Sequence, residues 1–459
     1  MSATGQSRTV WRVTVETVSG FTIGTGGGDD LRDSVCVTDA NGLPSIPGSS
    51  IAGVLRSAVG RSRGEPFAQA LFGHMHNDGQ ASRVEVSWAQ VHDGRNRPVP
   101  LRSPDLVPDK VLEFLRVGVT RDHVRINGRG VVDGAGKFDE TLVPVGARFT
   151  FELQLVNGTD EEEAELVRVL EGGALRMGGR TRMGHGLFKV VSLRGRRFKL
   201  AESSADLEAW LSLGTGMERS ELLPAWTGVV QRGQAGMSTL QLTLQPQDYW
   251  LVGGGEPHER YELARGEVRR VADIVPVTEA AISWSGDVGS VAVDSDVELL
   301  LPATSVKGAI RHRFEFLARC RGEAKRALVD EVFGALRGGE QDGEDVRGGT
   351  GCVYFTDARL KLKDRPSGFQ EHVCIDRFSG APMSGMLFSE APRYRGRPVE
   401  ITVHVVDGRI SSESREILKE ALRDLARGRL ALGGGANRGH GYFEGTLKVL
   451  GGDAAWEQP

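Results

Sequence analysis

One pattern occurs twice in this chain, so whatever fold it adopts has to be built in two copies. Pro47-Gly48-Ser49-Ser50-Ile51-Ala52-Gly53-Val54-Leu55-Arg56 returns as Pro302-Ala303-Thr304-Ser305-Val306-Lys307-Gly308-Ala309-Ile310-Arg311. Further on, Gly178-Gly179-Arg180-Thr181-Arg182-Met183-Gly184-His185-Gly186 returns as Gly433-Gly434-Gly435-Ala436-Asn437-Arg438-Gly439-His440-Gly441. Both returns keep one register, since 305 − 50 and 439 − 184 each give 255. A constant offset over so long a stretch marks a tandem duplication. At 459 residues the chain also exceeds what a single core usually supports.

Composition narrows the possible functions. Glycine supplies 62 of 459 residues, well above the usual share of about 7 per cent, and it concentrates at 24–28, 172–186, 253–255 and 433–441. Clusters at matching places in both halves let the backbone approach something closely. The net charge of −4 removes a bulk electrostatic argument for nucleic acid, so any such site has to be local. Cys36, Cys320, Cys352 and Cys374 lie far apart without Cys-x-x-Cys spacing. Neither a cysteine zinc site nor a disulfide framework is indicated, and a reducing cytoplasm fits best. A polar start and the lack of a long apolar run point to a soluble protein with no membrane partner.

Each half predicts the same order of elements. Val13 and Val15 alternate with polar residues, as do Leu240, Leu242 and Leu244, and a glycine-rich loop follows each strand. Ile51, Val54, Leu55 and Val59 then follow helical spacing, matched by Val306, Ala309, Ile310 and Phe314, with Ser and Thr just before each run as N-caps. Strand-like pieces, a second helix and a last strand complete strand, helix, strands, helix, strand, which is the ferredoxin-like order. The expected organisation is an α+β chain with a first repeat at 1–199, a connector at 200–236 and a second repeat at 237–459.

The string Gly42-Leu43-Pro44-Ser45-Ile46-Pro47-Gly48-Ser49-Ser50, then Leu71-Phe72-Gly73, then a turn closing Gly-His-Gly, resembles the RAMP superfamily. More narrowly, it resembles the Cas-seven-type backbone subunits of type III CRISPR effector complexes. Cys374-Ile375-Asp376-Arg377-Phe378-Ser379-Gly380 is similar to the thumb hairpin of that family. Two copies in one chain resemble the tandem backbone proteins of type III-D-like systems. The first repeat departs from the thumb pattern, with Asn127-Gly128-Arg129 in place of Asp376-Arg377-Phe378.

The resemblance implies two RRM-like folds with inserted thumbs. It also implies a guide crRNA and a target RNA as partners, together with other effector subunits. It places guide binding at the two helix starts and the two glycine turns. Gly48, Ser49, Ser50 and Ser305 offer hydroxyls and backbone N–H groups to phosphate, and Arg56, Lys307 and Arg311 add charge. Gly178, Gly179, Arg180 and Arg182 form the first turn, and Gly433, Gly434, Asn437 and Arg438 form the second. Arg125, Ile126, Ile375, Arg377 and Phe378 are the thumb residues.

For catalysis the resemblance points to an aspartate ahead of each Pro-capped helix, which makes Asp33 and Asp294 the candidates. RNA carries its own nucleophile in the 2′-OH, and an exposed carboxylate with pKa near ~3.9 is a feeble base. The expected role is therefore to hold Mg²⁺ or Mn²⁺ against the scissile phosphate. Asp29, Asp30 and Asp296 are rivals. The spacings also differ, Asp33 preceding Pro47 by 14 residues (47 − 33) and Asp294 preceding Pro302 by 8 (302 − 294), so the second site is open to being displaced or inactive. Two other readings stay open: a non-catalytic scaffold, and a metal-independent guide-processing ribonuclease using His185 and His440. His123 and His372 open the thumbs and are expected to position them.

Overall fold

The computed structural model describes residues 7–24, 36–75, 79–126, 132–172, 175–226, 236–255, 272–291, 297–322, 326–335, 349–361 and 368–457. Contacts divide the chain into one unit of 1–181, 185–236 and 280–292, and another of 182–184, 237–279 and 293–459. Relative to the division expected at 199 and 237, the connector falls with the first unit. The pieces 182–184 and 280–292 each fall with the residues of the other repeat.

The first unit is organised around β1 (Ser7–Thr17), whose Trp11, Val13 and Val15 are fully buried, as the alternation requires. Next come α1 (Gly48–Arg63), α2 (Glu65–Phe72), β2 (Val84–Val86), the hairpin of β3 (Val119–Ile126) and β4 (Val132–Leu142), and β5 (Arg148–Val156). The repeat ends with α3 (Asp160–Glu171), the short strand Leu175–Arg176 and β6 (Leu187–Lys199). The main sheet runs β2-β5-β1-β6 and is antiparallel, with Val13 facing Phe151 on one side and Leu193 on the other. Ile51, Leu55 and Val59 of α1 and Leu166 and Leu170 of α3 share one core with the inward side chains of the sheet. Phe21 sits edge-on to Phe149 and Phe188 at centroid distances of 5.7 and 4.9 Å. Such pairs contribute about 0.5–1.5 kcal/mol beyond the area they bury.

Helix α3 starts with a capping box formed by Thr159 and Glu162. The serine and threonine caps expected elsewhere are not formed. Pro47 and Pro302 hold the N-cap positions with no side-chain cap bond, and Ser49, Ser50, Thr304 and Ser305 lie inside the first turn. Close packing moves the start of α1: a Cβ on Gly48 would lie 2.2 Å from the Val86 carbonyl oxygen, so the helix begins pressed on β2.

After β6 the chain forms α4 (Ser204–Leu213) and a 3₁₀ turn, then returns along the outer edge of β6. The first unit also holds the hairpin Ile282–Ser285 and Val288–Val291. Trp284 donates its indole N–H to the Gly146 carbonyl at 2.7 Å beneath the Arg148 guanidinium, and Asn96 bonds Asp287 at 2.8 Å.

The second unit repeats the plan. It contains β7 (Met237–Pro246), α5 (Ala303–Cys320), α6 (Arg326–Phe333), β8 (Val353–Phe355), the hairpin of β9 (Gln370–Ile375) and β10 (Pro382–Glu390), β11 (Val399–Val406), α7 (Ser412–Ala426) and β12 (Phe443–Gly451). Its sheet runs β8-β11-β7-β12, so the first and third main strands are again central. Among the described residues no helix is long and apolar enough to cross a membrane.

Candidate nucleic-acid interface

In each unit the glycine turn folds back on the loop that follows the first strand. Gly178, Gly184 and Gly186 have φ of 93°, 100° and 72°, and Gly433, Gly439 and Gly441 have 87°, 85° and 82°. The recurrence is conformational as well as literal. The amide of Gly179 donates to the Thr22 carbonyl at 2.9 Å, and that of Gly434 to the Leu251 carbonyl at 2.8 Å. Both of these amides are therefore committed within the protein, so Gly179 and Gly434 have no backbone donor left to offer a phosphate. Gly178, Gly179, Gly433 and Gly434 are exposed, as are Asn437 and Arg438.

The base of each hairpin holds a buried cluster that joins it to its turn. In the first unit His123 Nε2 bonds Glu140 Oε1 at 2.7 Å, Arg180 Nη1 bonds Oε2 at 2.7 Å, and His185 Nδ1 lies 3.4 Å from Oε1. His123 stacks on Phe138, and the Arg180 guanidinium lies 4.5 Å over the same ring. In the second unit His372 Nε2 bonds Glu390 Oε1 at 3.0 Å, Arg438 bonds Oε2 at 2.8 Å, and His440 Nδ1 lies 3.6 Å from Oε1. His372 stacks on Phe388 in the same way.

Burial works to raise the Glu140 carboxyl. The His123 hydrogen bond, with the charges of His185, Arg180 and His123, outweighs it, so the group lies below the usual carboxylate range. His440 is held below the ordinary imidazole value, chiefly by burial, with the Arg438 and His372 charges adding to that and Glu390 opposing it.

From the sequence alone His123 with His372 and His185 with His440 read as two unconnected pairs, and neither glutamate carries a role. The available signal was Phe138-Asp139-Glu140 set against Phe388-Ser389-Glu390, a Phe-x-Glu ending each hairpin.

His123, Glu140 and His185 have the residue types of a metal centre, with donor atoms within 4.8 Å of one another. The surroundings do not fit a cation. Arg180 occupies the second carboxylate oxygen, and Arg121 Nη1 lies 3.5 Å from His185 Nε2. Two guanidinium charges beside the donors oppose a further positive charge. His185 is fully buried and His440 5% exposed, which places neither imidazole where a general acid meets a substrate.

Asp33 and Asp294 lie outside the described residues, as do Asp29, Asp30, Asp296 and the loop Asn127-Gly128-Arg129. The remaining candidates are placed as follows. Arg56 donates to the Gly73 carbonyl at 3.0 Å and pairs with Glu65. Lys307 donates to the Phe333 carbonyl at 3.3 Å, so each cation satisfies the carboxyl end of the short second helix. The Ala303 amide donates to Asp357 Oδ1 at 2.8 Å, so a carboxylate already sits at the start of α5.

Within the second unit Arg182 donates to the Gly351 carbonyl and lies 4.9 Å over Tyr354. Burial, and after it the positive charges of Arg311 and Arg182, push Lys307 down to about 8. Two guanidinium charges beside a depressed ammonium favour an anion there, with Glu315, paired to Arg311 at 3.3 Å, offsetting part of the charge. Sequence reasoning chose all three residues without linking them.

On the hairpins, Ile126 and Ile375 are 54% and 58% exposed. Phe378, at the tip of the second hairpin, is 98% exposed. It is held out by an Asx turn in which its amide donates to Asp376 Oδ1 at 2.7 Å. Arg377 is exposed beside it, and the backbone of Arg125 lies in β3.

The RAMP superfamily model matches residues 14–189 and 244–444. No curated protein matches the chain. Among solved structures, a chain of the type III-B Cmr-beta complex bound to cognate target RNA aligns at 20% identity and TM-score 0.31, over 41% of this chain and 61% of that one. A chain of the same complex in its apo state aligns at 13% identity and TM-score 0.32, over 39% of this chain and 96% of that one. This chain thus spans less than two thirds of the first of those chains.

Proposed function

Because the chain belongs to the RAMP superfamily, we propose that it is an RNA-guided backbone subunit of a type III effector, binding a guide crRNA through both repeats and cutting the paired target RNA. The observation that carries this reading is the doubled arrangement of a hairpin fastened to a glycine turn, with Phe378 bare at one tip. A single strand could lie across the turns while an exposed ring stacks against a base, worth about 1–3 kcal/mol. The group of Arg182, Lys307 and Arg311 supplies local positive charge on a chain whose net charge is −4. Sequence recognition would belong to the guide, with the protein reading backbone and shape.

Cutting is assigned to Asp33 and Asp294. A divalent Mg²⁺ or Mn²⁺ held there would neutralise charge on the scissile phosphate. The buried clusters at Glu140 and Glu390 hold the scaffold instead. A guide-processing role for His185 and His440 is disfavoured by their burial against carboxylates.

The test loads the assembled complex with guide and complementary RNA, adds magnesium, and compares Asp33→Ala with Asp294→Ala. Loss of one product band per variant supports two sites. Unchanged cutting by both removes these residues from the mechanism. No cutting by the parent protein leaves a guide-binding scaffold.

A further inference from the structure

The two units cover the outer edge of their last strand differently. In the first unit β6 is followed by a segment that returns along it: the Gly195 amide donates to the Pro224 carbonyl at 2.9 Å, and the Trp226 amide to the Leu193 carbonyl at 3.0 Å. Arg194 clasps this segment by donating to the carbonyls of Ser220 and Leu223 at 2.8 and 2.6 Å. Leu223 is fully buried with Val10 and Phe198, and Trp226 lies edge-on to Trp11 at 5.4 Å.

Pairing fixes the matching positions in the second unit. Val13 faces Leu193 and Trp11 faces Gly195, where Leu242 faces Leu447 and Leu240 faces Val449. The Leu447 carbonyl and the Val449 amide therefore point away from β7, as their counterparts Leu193 and Gly195 point away from β1. Lys448 stands where Arg194 stands. Among the described residues, β12 pairs along 445–451 with β7 alone.

A cavity of about 270 Å³ lies beside this edge, with Leu240, Leu447, Val449 and Trp456 on its apolar side and Lys419, Arg423, Arg427 and the single carboxylate of Glu457 on its charged side. Leu240 is the counterpart of Trp11, on which Trp226 packs, and Leu447 that of Leu193, whose carbonyl accepts the Trp226 amide. Lys448 and Arg427 are exposed. Among the described residues neither Arg423 nor Arg427 has a side-chain ion pair.

We propose that β12 is a docking edge for a short extended segment of a partner protein, which adds a strand, inserts an aromatic side chain into the cavity and presents a carboxylate to Arg423 and Arg427. Strand addition of this kind draws affinity from main-chain bonds and specificity from alternate side-chain pockets. The first unit shows the bound form built from its own chain. An RNA is the weaker match, because the open groups beside the cavity are the alternating amides and carbonyls of a strand edge, which another peptide backbone satisfies and a phosphate backbone does not. The inference is independent of guide binding and cleavage.

The test uses the full chain and a fluorescein-labelled peptide copying residues 220–226, which carries Glu221, Leu223 and Trp226. Anisotropy should report saturable binding. Val449→Pro, which deletes the edge amide, should weaken it at least about 10-fold, and so should Arg423→Glu with Arg427→Glu, two surface changes that leave the core intact. Circular dichroism establishes that each variant is folded. The proposal is overturned by absent binding, by equal binding to the folded variants, or by an oligouridylate that displaces the peptide. A concentration-dependent dimer dissolved by the same substitutions would also overturn it, assigning the edge to a second copy of this chain.

Discussion

Arg180 and Gly435 stand at the same place in the two glycine turns, 255 residues apart (435 − 180), and both are left-handed, with φ of 51° and 76°. Glycine reaches that conformation freely, while an arginine is strained there by about 1 kcal/mol or more. The bond from Arg180 to Glu140 Oε2 at 2.7 Å and its packing over Phe138 hold it in place. The second turn supplies its guanidinium from Arg438 and reaches Glu390 Oε2 at 2.8 Å, leaving the left-handed position to glycine. Two different positions thus serve one ion pair, which implies that the pair rather than the sequence of the turn is what both repeats need.

Breaking that pair should destabilise the first unit. Glu140 is fully buried and accepts from both His123 and the partly solvated Arg180, so Glu140→Gln weakens two charge-assisted bonds and is expected to cost about 1.5–3 kcal/mol, the scale of a hydrogen bond to a charged group. Arg180→Ala should cost more than Arg180→Gly by about 1 kcal/mol, because glycine also removes the strain. Urea unfolding of the four proteins measures both differences; an order of Gly below Ala in stability would contradict the strain argument.

Much of this architecture is legible in the sequence because its signals are local. Alternation at Val13 and Val15 and helical spacing from Ile51 to Val59 each involve residues a few positions apart, and the 255-residue offset is read by matching one short string to another. Glu140 and Glu390 escape such reading because their partners come from the other strand of the hairpin and from a turn some 40 to 50 residues on. Their meaning appears only when β3 pairs with β4 and β9 with β10. The same holds for Arg182 and Lys307, and for Trp284, whose indole bonds Gly146 in the first unit. The N-caps were misread for a different reason: burial of the first turn against β2 overrides the capping preference of serine.

Lys307 should take up a proton when RNA binds. Its ammonium is held at about 8 by burial and by Arg311 and Arg182, so near pH 8 roughly half of it is neutral in the free protein. A phosphate brought to this group favours the charged form, which raises the pKa and draws a proton from solution. Calorimetric titration at pH 8 in two buffers of different ionisation enthalpy should report uptake of up to about half a proton per chain from this residue. Lys307→Arg, which stays charged, should bind and abolish that part of the uptake. Equal uptake by both proteins would place the phosphate elsewhere.

His92 sets an acid limit on the first unit. Its Nε2 bonds Thr150 at 2.7 Å and its Nδ1 bonds Asn96 at 2.9 Å, and the ring is 4% exposed. Burial drives its pKa down to about 4; the Asn96 bond opposes that, the Arg148 charge adds to it, and Asp93 works against it. The sign follows from which form the fold keeps. The folded protein holds the imidazole neutral, whereas the unfolded chain takes up a proton below about pH 6.5, so protonation favours unfolding. Stability from this residue is therefore complete above about pH 6.5 and is lost progressively as pH falls toward 4. The total loss is on the order of 3 kcal/mol. Melting curves from pH 7.5 to 4.5 should show the parent protein losing more stability than His92→Gln, which keeps a polar side chain that does not titrate. Both proteins share the remaining carboxylates and histidines, so their background cancels in the difference, and parallel pH profiles would show that His92 titrates normally.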